Sequence, residues 1–428
     1  KYDDGKIGWR KWMPISQDTL APGRNWIFDP EGGIQGINQM APPDWRFRSI
    51  PIEKLLLFRT SVAKNNPEGR SIMRGMYTCF SEDTELLTEA GWRGIDTLTG
   101  ERVATLNAMT EELEYEQPTK IQKYDYTGEL IHIEGRDIDQ LVTPNHRLWI
   151  RRAASAKFEF READQCTPTS SFSAIAKWNA ADVATIQIGE QISSADLWFE
   201  FLGYYLSEGC ASRGGRNYNT TLCQMPGVVA DKIRNCVKQL PWSVYEYRTK
   251  TGLLVWQFTR KELYEHLKPL GKAKEKRAPR YVFGASRKQI NIFLDAYFDG
   301  DGTWGGDTRI IYTSSKGMCD DLLELALKAG HRPQARQKGY NEGFKSDSVL
   351  WIITLGKPFR QLRAKSWKRE EYRGRVWCVS TANGIVYARR NGKCVWSGNS
   401  WYFSKNLQEI EGIAAERMGT GLPVMYLG

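Results

Sequence analysis

Two stretches near opposite ends of this chain read as the two halves of one helix. RSIMRGMYT ends at Thr78, and SWYFSKNLQEIEGIAAERMGTG begins at Ser400, with Leu407, Ile410, Ile413 and Ala414 on one face. Joined directly, they give RSIMRGMYTSWYFSKNLQEIEGIAAERM, an amphipathic pattern without a break. A helix interrupted by residues 79–399 and resumed in phase implies an insertion whose own two ends come back together. That demand restricts the fold more than any local propensity does.

The residues at those ends carry chemistry. Cys79 opens the insertion, and Asn399 closes it just before Ser400. A thiol can attack the preceding carbonyl and replace a peptide bond with a thioester. A serine hydroxyl can accept an acyl group, and an Asn carboxamide can attack its own backbone carbonyl and cut the chain. An Asn-Ser pair alone is ordinarily a turn or cap. Paired with a distant Cys, it supplies what is needed to excise the segment and rejoin the flanks.

At 428 residues the chain has room for two or three domains, and a 41% hydrophobic content is enough for real cores. No apolar run is long enough to span a bilayer, and KYDDGKIGWR lacks the pattern of a signal peptide. Lacking an initial Met, the sequence reads as a fragment. The net charge of +10, with basic runs at Lys268–Arg287 and Arg360–Arg375, points to nucleic acid or to a solvated basic face. The eight cysteines form no C-x-x-C pair and only four histidines accompany them, which argues against a zinc site. A reducing compartment, with most Cys acting as buried small hydrophobes, is the expectation.

In chain order, residues 1–78 read as mixed structure and 79–190 as β-rich, with strands in RVATLN, ELIHIEG, QLVTPNHRLWI and DVATIQIG between turn residues. Residues 191–365 alternate helices with strands. The helices are DLWFEFLGYYLSEG, GVVADKIRNCVKQL, RKQINIFLDAYFDGDG and KGMCDDLLELALKAG; the strands are SVYEYRTK, LLVWQFT, RIIYTSS and VLWIITL. The repeated order suggests an internal duplication. Strands return in RVWCVST, IVYARR and KCVWSG within 366–399, and 400–428 is helical.

CFSEDTELLTEAGW, LVTPNHRLWI and VWCVSTANGIVYARRNGKCVWSGNS together resemble the splicing motifs of an intein. The resemblance covers 79 to about 190 and 366–399, and implies the all-β Hedgehog/intein fold with both junctions in one cleft. It implies roles for Cys79 as first nucleophile, Thr143 and His146 as the groups assisting the thioester step, Ser400 as acyl acceptor and Asn399 as the residue that cyclises. No cofactor is implied. Two departures stand out. Gly398 occupies the place where His is common, and STANGIVYARR lacks the other usual His, so Asn399 needs different help, with Arg389, Arg390 or water as candidates. Cys378 stands where Asp is common, and could hold the Ser400 hydroxyl, relay a proton or carry the acyl group transiently.

FLGYYLSEG and LDAYFDGDG resemble the paired motif of LAGLIDADG homing endonucleases, an α+β fold with pseudo-twofold symmetry. Small residues at Gly203 and Ser207, and at Ala296 and Gly300, lie on one face and allow two helices to approach closely. Each helix ends in an acid, Glu208 or Asp301, followed by a Gly suited to a helix C-terminus. Two such acids side by side would share Mg²⁺ or another divalent cation, which activates water for phosphodiester hydrolysis. KEKRAPRYVF resembles the lysine-bearing motif, making Lys276 the candidate for steadying the developing charge; Lys338 and Lys357 are candidates for a second lysine. Arg213, Arg216, Arg248, Lys250 and Arg309 are candidate DNA contacts on strands following the acids.

The joined flanks, IPIEKLLLFRTSVAKNNPEGRSIMRGMYT and SWYFSKNLQEIEGIAAERMGTGLPVMYLG, resemble a tailed-phage portal protein. The expectation is a multi-domain chain. A portal-like host segment fills 1–78, the splicing domain 79–190 and 366–399, the endonuclease 191–365, and host segment again 400–428. The partner would be double-stranded DNA of the uninterrupted host gene. The insert would be monomeric and cytoplasmic in a bacterial cell, and the ligated host would oligomerise in the virion. Two other readings remain. One is a splicing element with an inactive nuclease, whose lasting function is the structural portal; the other is a Hedgehog-type domain that cleaves without ligating, which Ser400 and the continuous helix disfavour.

Overall fold

The computed structural model describes residues 78–399 apart from 153–154, 156, 339–348 and 358–361, together with a hairpin of Asn25–Asp29 and Gly33–Ile37. Ser400 and the remainder of the host-like flanks, including the helix expected across the junction, lie outside the described residues. The molecule is multi-domain and mostly sheet, with few helices.

From Cys79 the chain forms β1 (Phe80–Ser81), β2 (Glu85–Thr88), β3 (Val103–Leu106), β4 (Leu113–Glu116), the long β5 (Lys120–Glu134), β6 (Asp139–Val142) and β7 (Arg147–Arg151). It then enters α1 (Ala195–Glu208), β8 (Gly209–Gly214), β9 (Asn217–Gln224), α2 (Val228–Gln239), β10 (Tyr245–Arg248), β11 (Leu254–Thr259) and α3 (Lys261–Leu267). A second round follows: α4 (Arg287–Asp301), β12 (Gly302–Gly305), β13 (Thr308–Thr313), α5 (Lys316–Lys328), β14 (Arg332–Lys338) and β15 (Leu350–Gly356). The chain returns through β16 (Ser366–Ser380), β17 (Ile385–Arg390) and β18 (Lys393–Gly398).

The two rounds repeat one design. Their antiparallel sheets run β8-β9-β11-β10 and β12-β13-β15-β14, each with its last two strands exchanged in space. α1, α4 and α5 each begin at a serine whose side chain accepts the backbone N–H three residues on: Ser194 from Leu197, Ser286 from Gln289 and Ser315 from Met318. α1 is buried almost all round, through Trp198, Phe199, Phe201, Leu202, Tyr204, Tyr205 and Leu206, so it serves as the central element of this half.

β16 and β5 pair along their whole length, from Ser366↔Glu134 to Ser380↔Lys120, and close a barrel in the order β16-β1-β6-β5. The short β1 lies between Trp377 and Val142, both opposite Phe80. This register carries Cys79 to the neighbourhood of Cys378 on one side and Thr143 on the other. β17 and β18 turn tightly at Asn391 and Gly392, both at positive φ (49° and 74°), a two-residue hairpin loop that Asn-Gly favours.

The α+β half and the β half are not loosely tethered. β14 pairs with β18 at Gln334↔Lys393, giving one path of strands β12-β13-β15-β14-β18-β17-β2-β3-β4, with Gly91–Gly94 paired beside β2. α5 supplies buried acids along the seam. Asp321 holds Arg277 (2.6 Å), and Glu324 takes Arg280 (3.1 Å), Lys328 (2.9 Å) and the Tyr115 hydroxyl (2.9 Å). Arg389 of β17 bonds both Asp320 and Glu85 and lies over Trp92. The basic run at Lys268–Arg287, read from sequence as a nucleic-acid or solvated face, thus spends part of its charge on buried acids. Arg277 and Arg280 neutralise buried carboxylates, and Arg287 donates to the carbonyl of Ala329.

Candidate functional site

Around Cys79 the groups converge through backbone register. Its amide N–H donates to the Thr143 hydroxyl (2.9 Å), and the Thr143 N–H donates back to the Cys79 carbonyl (3.0 Å). The Thr78 hydroxyl lies 3.8 Å from Cys378 Sγ. The two thiols sit in a small apolar cluster with Leu130, Leu141 and Val376. Burial, reinforced by contact with Cys378, pushes the Cys79 thiol well up, so it is held as the neutral thiol.

His146 is the residue that reaches both ends. It is completely buried, packs edge-on against Phe80 with ring centroids 4.3 Å apart, and its Nε2 lies 3.0 Å from the Ser397 hydroxyl. Burial drives its pKa down to about 3, while the backbone of Thr78 and of Gly398 pulls the other way. One imidazole therefore touches the segments carrying both junctions, and it is neutral at ordinary pH.

Asn399 is fully buried. Its backbone N–H donates to the Gly384 carbonyl (2.9 Å) and its Nδ2 donates to Thr381 Oγ1 (3.0 Å). Sequence reasoning missed Thr381, which lies in the turn between β16 and β17 and carries no spacing signal. Arg389 and Arg390, named from sequence as possible helpers of Asn399, are committed elsewhere: Arg389 to Glu85 and Asp320, Arg390 to Asp83 and Asp139. Ser400 lies outside the described residues.

α1 and α4 meet through their small residues. A Cβ on Gly203 would lie 2.5 Å from the Phe293 carbonyl and 2.6 Å from Ala296 Cβ, and one on Gly300 would lie 2.6 Å from Ser207 Cβ. Glu208 and Asp301 close these helices, and Asp301 feels the charge of Glu208. Burial and then that repulsion push Asp301 up to about 6, with Lys276 opposing; burial also raises Glu208 against Lys276 and a hydrogen bond from Gln224 (3.1 Å). Gln224, at the end of β9, is another residue that sequence reasoning did not find. Gly209 and Gly302 do not act as left-handed caps, since both have extended backbone (φ −104° and −118°). They are glycines because a Cβ would strike the preceding turn, at Tyr205 and Phe298 respectively.

Lys276 is mostly buried and its Nζ donates to the last carbonyls of α1, at Leu206 (2.8 Å), Ser207 (3.4 Å) and Tyr205 (3.5 Å). It lines a cavity of about 500 Å³ together with Asp301, Cys210, Lys272, Tyr297 and Thr313. Among the described residues no group of three or more His, Cys, Asp or Glu gathers to hold a metal. Asp301, which lines the cavity and feels the charge of Glu208, nonetheless offers an oxygen ligand that suits a hard divalent cation whose other ligands are water or phosphate oxygen.

The candidate DNA contacts lie on the two sheets. Arg213 and Arg216 are exposed at the β8–β9 hairpin, with Arg213 over the Tyr218 ring, and Arg248 and Lys250 are exposed at the end of β10. Arg309 on β13 differs: it is half-buried, paired with Asp295 and set over Phe298 and Trp304. Lys357 pairs with Asp307 (2.8 Å), and Lys338 is exposed at the end of β14. All eight cysteines are free, and Cys79, Cys236, Cys319, Cys378 and Cys394 are buried. Among the described residues no helix is long and apolar enough to cross a membrane.

No family model matches the chain. A DNA-directed RNA polymerase subunit beta C-terminal section from Stigeoclonium helveticum is 26% identical, over 75% of this chain and 36% of that protein. An ATP-dependent Clp protease proteolytic subunit from Chlamydomonas moewusii is 26% identical, over 61% of this chain and 29% of that protein. The chain thus matches about a third of the length of these curated relatives. Among solved structures, the homing endonuclease I-DmoI in complex with DNA and Mn is 9% identical with a TM-score of 0.30, over 38% of this chain and 90% of that one. The AceL NrdHF class 3 split intein is 16% identical with a TM-score of 0.21, over 43% of this chain and 99% of that one.

Proposed function

We propose that residues 79–399 are a self-splicing intein that joins Thr78 to Ser400 and carries a divalent-metal-dependent, site-specific DNA endonuclease. The observation carrying this reading is His146, bonded to Ser397 at one junction and set against the backbone of Thr78 at the other. The curated relatives fit it too. A polymerase subunit and a protease subunit have unrelated named functions, yet each matches this chain over only part of its own length. An element inserted into different hosts would leave that pattern.

The chemistry proceeds without cofactor. The Cys79 thiol attacks the Thr78 carbonyl, its sulfur–carbon bond replacing the peptide bond, and the proton ends on the Cys79 amine. Thr143, whose hydroxyl already holds that N–H, stands at the departing nitrogen. Neutral His146 offers a hydrogen bond and a proton path without an ion to desolvate. The Ser400 hydroxyl then takes the acyl group, releasing the thiol. Asn399 cyclises, the insert departs, and the ester rearranges to an amide. Cys378, whose Sγ lies 3.8 Å from the Thr78 hydroxyl, would share in the acyl transfer.

In the endonuclease, Glu208 and Asp301 would hold Mg²⁺ or a similar cation, which supplies an activated water and charge neutralisation at the phosphate. Gln224 orients Glu208, and Lys276 keeps positive charge beside both acids. Arg213, Arg216, Arg248, Lys250 and Arg309 would meet the duplex, with Arg309 first releasing Asp295. We further infer a portal-like host in 1–78 and 400–428 that oligomerises after ligation, with the insert acting in the bacterial cytoplasm on the uninterrupted host gene. Mass analysis of the expressed chain tests splicing: ligated host plus free insert is the expected product, and cleaved pieces alone would mean autoprocessing. Incubation with DNA carrying the uninterrupted gene and Mg²⁺ tests the nuclease; no cutting would leave splicing and the structural host as the lasting functions.

A further inference from the structure

The geometry points to Thr381 as the residue that presents Asn399 for cyclisation, in place of the histidines this chain lacks. The inference rests on the splicing reading above. Position 398 has no room for a side chain, because a Cβ there would collide with the Arg147 carbonyl and lie 3.0 Å from Phe160 Cδ1. A penultimate His is therefore excluded by backbone, which does not yield.

The turn between β16 and β17 takes over. It grips Asn399 twice: the Gly384 carbonyl accepts the backbone N–H at 2.9 Å, and the Thr381 hydroxyl accepts Nδ2–H at 3.0 Å. Gly384, at φ +69°, closes the turn with its N–H on the Thr381 carbonyl (3.2 Å). Asn383 pins the turn to the neighbouring strands through Thr105 Oγ1 (3.1 Å) and Glu114 (2.8 Å). The nucleophilic nitrogen and the backbone N–H of the same residue are thus held from one loop, which restricts the rotations between the two ring-closing atoms, and such restriction is where intramolecular reactions gain most. An acceptor on N–H also leaves more electron density on the nitrogen.

In the step itself, Nδ2 forms a bond to the Asn399 carbonyl carbon and the carbon–nitrogen bond to Ser400 breaks. One Nδ2 proton, first held by Thr381 Oγ1, ends on the Ser400 amine. The products are a succinimide on the insert and a free amine on the host; no oxidant or external reactant enters.

The test compares the full chain with Thr381→Val, Thr381→Ala and Thr381→Ser. Two readings are taken by mass: cleavage at Thr78–Cys79 by added thiol, and release of the succinimide-ended insert. The expected result is that Val and Ala slow succinimide release about a hundredfold, with branched ester accumulating, while Ser releases it at close to the parent rate. Thiol cleavage at Thr78–Cys79 certifies that the fold survives, and Ala, which only removes atoms, covers a failure of Val to fold. Release by Val or Ala within about threefold of the parent, or slowing by Ser equal to that by Ala, would overturn the role of Thr381 alone. A parent chain that never splices would overturn the underlying reading as well.

Discussion

At the junctions His146 is driven down to about 3 and the Cys79 thiol well up, and both are fully enclosed; at the paired helices Asp301 rises to about 6 but faces a cavity of about 500 Å³ beside Lys276. Burial disfavours charge on both His146 and Cys79. The second site sets Asp301 within reach of the charge of Glu208, relieves this in part through Lys276, and opens on a cavity. The splicing proposed above, acyl transfer among neutral thiol, hydroxyl and carboxamide, suits buried groups, where hydrogen bonds are strong and a thioester would be shielded from hydrolysis. Phosphodiester cleavage handles a polyanion and suits a site that attracts a cation.

The sharpest break of this contrast is Cys79→Ala combined with Asn399→Ala. It should leave an intact chain of full length by mass, with DNA cleavage untouched; loss of both activities would show that the pockets are not independent. Glu208→Gln and Asp301→Asn should each abolish cutting while DNA binding at fixed salt persists or strengthens, and splicing should continue. Persistent cutting would remove the paired acids from the mechanism.

Arg389→Ala probes the seam between the pockets. The guanidinium is buried between Glu85 and Asp320; its loss leaves Glu85 unpaired while Asp320 keeps Lys316, and should cost about 1–3 kcal/mol in chemical denaturation. Because Asp320 belongs to α5 and Glu85 to β2, a single cooperative transition should shift; two separate transitions, only one of them moved, would show the halves to be uncoupled.

The pH responses should run in opposite directions. His146 binds a proton more weakly in the fold than in the open chain, so stability should decline as pH falls from 6.5 towards 3. Asp301 binds its proton more tightly in the fold, so its contribution to metal-free stability is present below about 4 and lost as pH rises to about 6. Metal binding must expel that proton, so Mg²⁺ affinity should weaken below pH 6, as titration calorimetry would register. Splicing should show no step near pH 6.5 from His146. The smallest effect should come from Arg248→Ala or Lys250→Ala: if each meets a phosphate, the salt dependence of DNA binding flattens by about one unit.

Much of the layout was legible because it is written in periodicity and in residue types that admit few uses. The four main helices and the strands around TPNH appear where the 3.6- and 2-residue patterns place them, since burial of one face is a local constraint. The short α3, Lys261–Leu267, was missed: it has no side-chain cap and is too brief to carry a period. The glycines after Glu208 and Asp301 were legible as helix ends, but their cause was not, because the clash that forbids a Cβ, with the carbonyl and ring of Tyr205 or Phe298, depends on the extended backbone the chain adopts there. The pairing of Arg277 and Arg280 with buried acids was hidden because Asp321 and Glu324 lie on another helix.

By itself the sequence determined the chemical vocabulary: a thiol and a carboxamide at the ends of one segment, and two acids on matching helices with small residues facing each other. Only the tertiary structure decided which groups meet. His146 reaches Ser397, Thr381 reaches Asn399, and Arg389 and Arg390 are withdrawn to carboxylates. Such meetings are set by strand register and by turns far apart in the chain, where one residue of slip exchanges every partner, and no local pattern records that register.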